Sequence, residues 1–328
     1  MSVGERMVKL SAAVTKDGFR IMRFDQFSSC ERLFLEGGSY YHLCTKPIEI
    51  DLLFRTPEEL DEALNIIAFA VFATNCRLLA FAVMSNHLHF VIEGSLSSCE
   101  AFFSHFHALL SKYLSRCGRF DLSQKCTPAY VPINNLKQLK DEIAYVVRNP
   151  YAASSNVNLF SYRWCSGYLY FNGLSELMEK GVNMSEQPLK NRRIFTHTRS
   201  GTVDSRLLAI NGTALPACFV DYHRAESFFD NARDFQYCMM KNVESQVAIA
   251  KRIGDTLFLD DNEMWELSYK LCRETYKVKS PFNLKGEERI TLAKTLKFEY
   301  GASNKQIARC TGMDRSYVDE VFPMSAKP

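Results

Sequence analysis

With 328 residues, and 40 lysines and arginines against 37 aspartates and glutamates, the chain carries a formal charge of +3; so mild a balance does not announce a nucleic-acid binder, and any basic surface must be local. Its 47% hydrophobic and 23% charged residues exclude disorder along the whole chain, and the length predicts about two or three domains. The apolar stretches between Glu62 and Arg77 and between Arg77 and Glu93 each fall short of the ~20 residues that cross a bilayer, which excludes a membrane span.

The opening MSVGERMVKL lacks the apolar core of a secretion signal. Eleven scattered cysteines without one C-x-x-C pair fit neither a disulfide framework nor a zinc ribbon. Both features predict free thiols in a reducing, cytoplasmic setting.

In chain order, residues 1–37 form a mixed extension that ends in a turn at Gly37-Gly38. A strand follows over Ser39 to Cys44. At Thr56-Pro57-Glu58-Glu59 a helix starts, with Thr56 as cap, Pro57 at the first helical position and Glu59 closing a capping box. It continues through Ile66, Phe69 and Val71 to about Asn75. From Leu78 to Glu93 two strand-like runs flank Ser85-Asn86, and a helix over Ser98 to Cys117 stops at Gly118. A polar, irregular stretch leads to a helix over Leu136 to Asn149, which Pro150 ends. Residues 171–282 are a helical and irregular connecting region with a basic cluster of Lys190, Arg192, Arg193 and Arg199, and three short helices follow from Gly286.

Two local patterns carry chemistry. His87 and His89 stand at i and i+2 in MSNHLHFVIE. On a strand this points both imidazoles to one face, where they can share a metal ion, while Leu88, Phe90 and Ile92 cover the other. His105 and His107 have the same spacing on a predicted helix, where it separates the side chains by about 200° and forbids a shared metal. The pair is equally readable as two hydrogen-bonded, partly buried strand histidines.

The second pattern is LKQLKDEIAYVVRNP. With Leu136 at 0° and about 100° per residue, Leu139, Ile143, Val146 and Val147 share one apolar arc between about 280° and 20°. Tyr145 falls near 180° and Asn149 near 220°, beside Gln138 and Glu142. The tyrosine therefore projects from the polar side with Asn149 one turn away, although a surface tyrosine with a solvated hydroxyl fits the same wheel.

On these residues the chain resembles the single-tyrosine HUH transposases, and among them the relatives associated with repetitive extragenic palindromes. MSNHLHF resembles the family's histidine–hydrophobe–histidine motif and YVVRNPYAA its tyrosine helix. GSYYHLCTKPIEIDLLF is similar to the opening strand, and SYRWCSGYLY to the segment after the tyrosine helix, with Arg163 where a proline often precedes the tryptophan. The resemblance covers residues 38–170.

It implies an α/β (α+β) fold: a mostly antiparallel sheet carrying the histidines, covered by helices on one face; a helical extension and a terminal helix-turn-helix, read from the residues beyond 170, would follow. Tyr145, five residues before Pro150, corresponds to the nucleophile. His87, His89 and Asn149 correspond to the ligands of a divalent metal, Mg²⁺ or Mn²⁺. The implied activity is cleavage and rejoining of single-stranded or hairpin DNA through a 5′-phosphotyrosine, with no nucleotide cofactor. Relatives occur as monomers and as homodimers. His42 reads either as a group facing the same site or as a packed strand histidine, and the latter is favoured. Asp141, Glu142 and Gln138 share the tyrosine's side of the helix and read either as groups that position metal or water or as a solvated helix surface, and the latter is favoured.

At the C-terminus, Ser303 with Gln306 forms a capping box, Gly312 supplies a tight turn, and Asp314 caps a last helix with Val318, Val321 and Phe322 facing inward. This resembles bacterial helix-turn-helix modules. A DNA contact would then fall on Arg315, Ser316 and Tyr317, with Lys190, Arg192 and Arg193 as further phosphate contacts. Residues 284–328 hold eight basic and six acidic residues, so a protein-binding knob is the competing reading. The implied division is 1–37, a catalytic unit at 38–170, a connecting region at 171–282, and a helix-turn-helix at 283–328. A catalytically silent DNA-binding regulator on the same fold remains the alternative to an active transposase. A metal hydrolase that uses the histidine pair with water is a third.

Overall fold

The computed structural model describes residues 12–15, 18–21, 28–48, 51–74, 76–153, 162–240, 243–255, 259 and 261–323. It begins with a hairpin of β1 (Ala12–Thr15) and β2 (Gly18–Ile21), then α1 (Ser29–Gly37). Helix α1 starts from a full capping box between Ser28 and Glu31.

The main sheet holds β3 (Tyr40–Thr45), β4 (Arg77–Val83), β5 (Leu88–Glu93) and β6 (Pro128–Ile133) in the order β4-β5-β3-β6. All three pairings are antiparallel. The stretch expected to be irregular thus supplies an edge strand. Its Pro128 and Pro132 lack ladder donors, which suits an edge and disguises the strand in the sequence.

Helices cover both faces of this sheet, not one as expected. On one side, Phe81, Val83, Leu88, Phe90 and Ile92 pack with α2 (Pro57–Phe72) and α3 (Leu96–Arg116). The Phe90 ring meets those of Phe102 and Phe106 at 5.2 and 5.8 Å. Thr56 caps α2 as expected. Glu59 does not close the box, because its carboxylate accepts the Arg55 amide and the Arg119 guanidinium instead. After α3, α4 (Phe120–Lys125) leads into β6.

The other face receives α5 (Leu136–Ala153), whose Leu139, Ile143, Val146 and Val147 are all buried, as the apolar arc requires. Ala80 and Ala82 beneath it are small enough for a close approach. Pro150 does not end this helix, which runs on to Ala153. So near the C-terminus the proline removes only one intrahelical bond.

Next come α6 (Ser175–Glu179), β7 (Val182–Asn183), α7 (Leu189–Thr196), β8 (Leu208–Ile210) and β9 (Thr213–Ala214), the three strands forming a small antiparallel sheet. Then follow α8 (Tyr222–Glu226), α9 (Ala232–Met239), α10 (Val243–Ile253) and α11 (Asp261–Thr275). Last are α12 (Gly286–Tyr300), α13 (Asn304–Thr311) and α14 (Arg315–Val321). The Ser303–Gln306 capping box and the Asp314 cap both form, and Gly312 adopts φ +67° between the last two helices. Leu292, Ile307 and Val318 belong to the same buried cluster as Ile143 and Phe228, so one core runs from the sheet to α14. Among the described residues no helix is long and apolar enough to cross a membrane.

Candidate active site

The two central strands bring three histidines together. His42 on β3 pairs with Val91 and Cys44 pairs with His89, so His42 and His89 are diagonal neighbours on one sheet face. His87 lies just before β5, in a turn closed by the Met84 amide on the His87 carbonyl at 2.9 Å. The His87 and His89 ring centroids are 4.8 Å apart, although His87 stands in that turn and only His89 on the strand. His105 and His107 lie on α3, where His107 turns to the Ser123 carbonyl at 2.8 Å and His105 to solvent.

Helix α5 lays Glu142, Tyr145 and Asn149 over this face. Glu142 is fully buried and forms an ion pair with Arg252 of α10. Its Oε2 therefore accepts the Nδ1 hydrogen of His42 at 2.6 Å. His42 Nε2 is then an acceptor and takes the Nδ1 hydrogen of His89 at 3.1 Å. That leaves His89 Nε2 with a lone pair, to which Asn149 Nδ2 donates at 3.1 Å. The carboxylate at one end thus sets the tautomer of both rings, as the outer partners of metal-binding histidines do. Burial draws all three imidazoles below the ordinary histidine range, His42 and His87 to about 3, so they are neutral and able to ligate.

Tyr145 is 4% exposed. Its ring lies 5.7 Å from His89 and 6.0 Å from His42, and its hydroxyl donates to Asp255 Oδ2 at 2.5 Å. Asp255 arrives from the end of α10. Gly254, at φ +70°, reverses the chain, and the Asp255 amide bonds back to the Ala250 carbonyl at 2.9 Å, closing a Schellman cap. Burial first, then the Asp255 charge, pushes the Tyr145 phenol well above its ordinary value. The hydroxyl is therefore protonated at neutral pH and a poor nucleophile unless a positive charge joins it.

The donor set fits a divalent cation. His87 Nε2 and Asn149 Oδ1 are buried side-chain atoms with no hydrogen-bond partner. A half-turn of the Asn149 amide would bring its oxygen to the side now held by Nδ2.

No protein-family model and no curated protein matches the chain. Among solved structures the chain is similar to a REP-associated tyrosine transposase bound to a REP hairpin, at 13% identity and a TM-score of 0.31. That likeness covers 40% of this chain and 78% of the other.

Tyr145, His87, His89 and Asn149 thus meet in one niche. His42 adjoins them as a fully buried strand histidine between Glu142 and His89. Glu142 and Asp141 are 0% and 7% exposed, not solvated, because α9 and α10 cover the side of α5 that the helical wheel assigns to water. Gln138 is half-buried and caps the helix start, accepting the Asn134 amide at 2.9 Å. Lys190, Arg192 and Arg193 lie elsewhere, on α7, whose Phe195 packs against Phe69 of α2 on the far side of the sheet. Arg315, Ser316 and Tyr317 start α14, and Tyr317 is 43% exposed. Sequence reasoning missed Asp255 and Arg252; the only signal for Asp255 was a glycine and an acid behind an amphipathic stretch, which is common.

Proposed function

We propose that this chain is a metal-dependent strand transferase for single-stranded or hairpin DNA, with Tyr145 as nucleophile. The observation that carries this reading is the Tyr145 ring 5.7 Å from that of His89, its hydroxyl on the Asp255 carboxylate that also faces His87 and His89, with Asn149 beside them. The motif resemblance over residues 38–170 supports it. His87, His89 and Asn149 would hold Mg²⁺ or Mn²⁺, which supplies charge stabilisation for the phosphate oxygens when bound.

In the proposed reaction the Tyr145 oxygen attacks phosphorus in line and a phosphorus–oxygen bond forms. The bond to the 3′ oxygen breaks, and that oxygen leaves as a hydroxyl, taking up a proton from solvent to match the one the phenol gives up. Asp255 stands in position to receive the phenol proton, being its hydrogen-bond acceptor. The 5′-phosphotyrosine conserves the diester energy, so a 3′ hydroxyl can reverse the step and join strands without water or ATP. Arg315, Ser316 and Tyr317 would contact DNA as part of a helix-turn-helix at 283–328, with the catalytic unit at 38–170.

The test is incubation of full-length protein with hairpin DNA carrying a cleavable flank and Mn²⁺, followed by mass mapping of linked peptides. A covalent adduct on Tyr145, absent in Tyr145→Phe, is the expected result. Adducts that persist in that variant would remove Tyr145 from the chemistry. The closed niche, with Tyr145 held under α10, favours a second reading: a silent DNA-binding regulator, which binds the hairpin and never cleaves it.

A further inference from the structure

His87 has one nitrogen committed. Asn86 Nδ2 donates to the Ile48 carbonyl at 3.1 Å, so Asn86 Oδ1 faces His87 Nδ1 at 2.8 Å and takes its hydrogen. The other nitrogen, Nε2, is a lone pair in a side chain 2% exposed, without a hydrogen-bond partner. What it faces is Asp255 Oδ1 at 3.9 Å. His89 Nε2, a lone pair by the relay from Glu142, stands 3.3 Å from Asp255 Oδ2. Two imidazole nitrogens and a carboxylate thus converge in a niche where the Asp255 side chain is 3% exposed, the Tyr145 hydroxyl and the Asn149 amide donating to that carboxylate. Buried donor atoms gathered in this way suit a shared cation, which would also give the unpartnered His87 Nε2 a partner.

We infer that Asp255 is a direct ligand of a divalent cation held with His87 and His89, the one anionic donor of that site. The three donor atoms lie within 4.8 Å of one another. Ligands at about 2.1 Å from one octahedral ion stand about 3 to 4.2 Å apart, so a contraction of a few tenths of an ångström closes the shell. Asp255 Oδ2 already accepts the Tyr145 hydroxyl, so a cation on this carboxylate stands next to the phenol. Two imidazoles and one carboxylate leave coordination positions open for phosphate oxygens. Cys44, with His42 and His89 in a second cluster, is no rival: the facing nitrogens of His42 and His89 bond each other, and burial holds the Cys44 thiol up at about 12.

The inference rests on the proposed function only in taking the histidine pair as cation ligands; it does not need Tyr145 to react. The test is titration of the full-length protein with MnCl₂ alone, following loss of the free-ion electron paramagnetic resonance signal. Wild type should take up one Mn²⁺, and Asp255→Ala should weaken it at least tenfold. Asp255→Asn keeps the shape and an acceptor for Tyr145 but not the charge, and should weaken binding similarly. Circular dichroism without metal checks that the variants fold, and the rise in wild-type melting temperature on adding Mn²⁺ should vanish in Asp255→Asn. Wild-type affinity in either variant, tighter binding after removal of the carboxylate, or no uptake by wild type overturns the assignment. Mn²⁺ bound through Asp255 with no adduct on DNA would sink the Tyr145 reading and leave this site standing.

Discussion

The Tyr145 hydroxyl and the Asp255 carboxylate meet at 2.5 Å although 110 residues separate them in the chain. One hydrogen bond thereby ties the α5 face over the sheet to the C-terminal cap of α10. Removing the hydroxyl leaves a buried carboxylate short of a donor, which costs about 1.5–3 kcal/mol for a charged partner. Tyr145→Phe should therefore lower the urea midpoint of metal-free protein as well as abolish any covalent linkage to DNA. A midpoint equal to wild type would mean that the bond does not hold the cap closed.

Glu142 acts on the niche through His42. Glu142→Gln keeps an acceptor for the His42 Nδ1 hydrogen but removes the charge that Arg252 neutralises. The variant should lose about 2 kcal/mol of stability, discounted because the Arg252 side chain is 35% exposed. Because Glu142 reaches the ligand His89 only through His42, the variant should bind Mn²⁺ a few-fold more weakly, less than the roughly tenfold cost of losing a direct outer partner of a ligand. Unfolding curves and Mn²⁺ titrations on the same preparation separate the two effects. Lost stability with unchanged affinity would limit Glu142 to a structural role.

Acid should destabilise the fold in a definite window. His42 and His87 titrate at about 3 when folded, against an ordinary 6.5, and His89 is lowered as well. Between those values the unfolded chain binds more protons than the native one. Stability is therefore intact above pH 6.5 and falls as the pH drops towards 3, by up to about 1.4 kcal/mol per pH unit for each histidine. Urea midpoints in chelator-containing buffer should fall from pH 7 to pH 5, and His87→Asn should flatten that fall. A flat wild-type profile would show that the rings take up protons without unfolding.

What could be read from the sequence was what depends on neighbours in the chain. The strand period of two puts His87 and His89 on one face, and the helical period puts Leu139, Ile143, Val146 and Val147 on another. Tyr145 also fell on the side facing away from that apolar arc. Its burial was not legible, because the cover belongs to α9 and α10, whose positions no local period records. Glu142 misled for the same reason: a helical wheel assumes that the polar side meets water, whereas here it meets a second packed layer containing Arg252. Asp255 enters behind Gly254 at a helix end, and nothing local distinguishes that glycine and acid from any other cap. Strand β6 escaped because Pro128 and Pro132 disguise an edge strand as a loop.

The start of α14 offers a separable test of the proposed DNA contact. Arg315 Nε donates to Asp319 Oδ2 at 2.8 Å, with the arginine side chain 45% exposed, and Asp319 Oδ1 accepts from Asn304 Nδ2 at 2.8 Å. If the guanidinium meets a DNA phosphate, Asp319 competes for it. Asp319→Asn retains the acceptor for Asn304 and removes the competing charge, so it should tighten hairpin binding several-fold. Arg315→Ala should weaken binding and reduce the slope of log affinity against log salt by about 1, as one lost phosphate contact requires. Fluorescence anisotropy between about 50 and 200 mM salt reads both changes. Unchanged affinity and slope in the two variants would place the DNA away from α14 and favour the protein-binding knob.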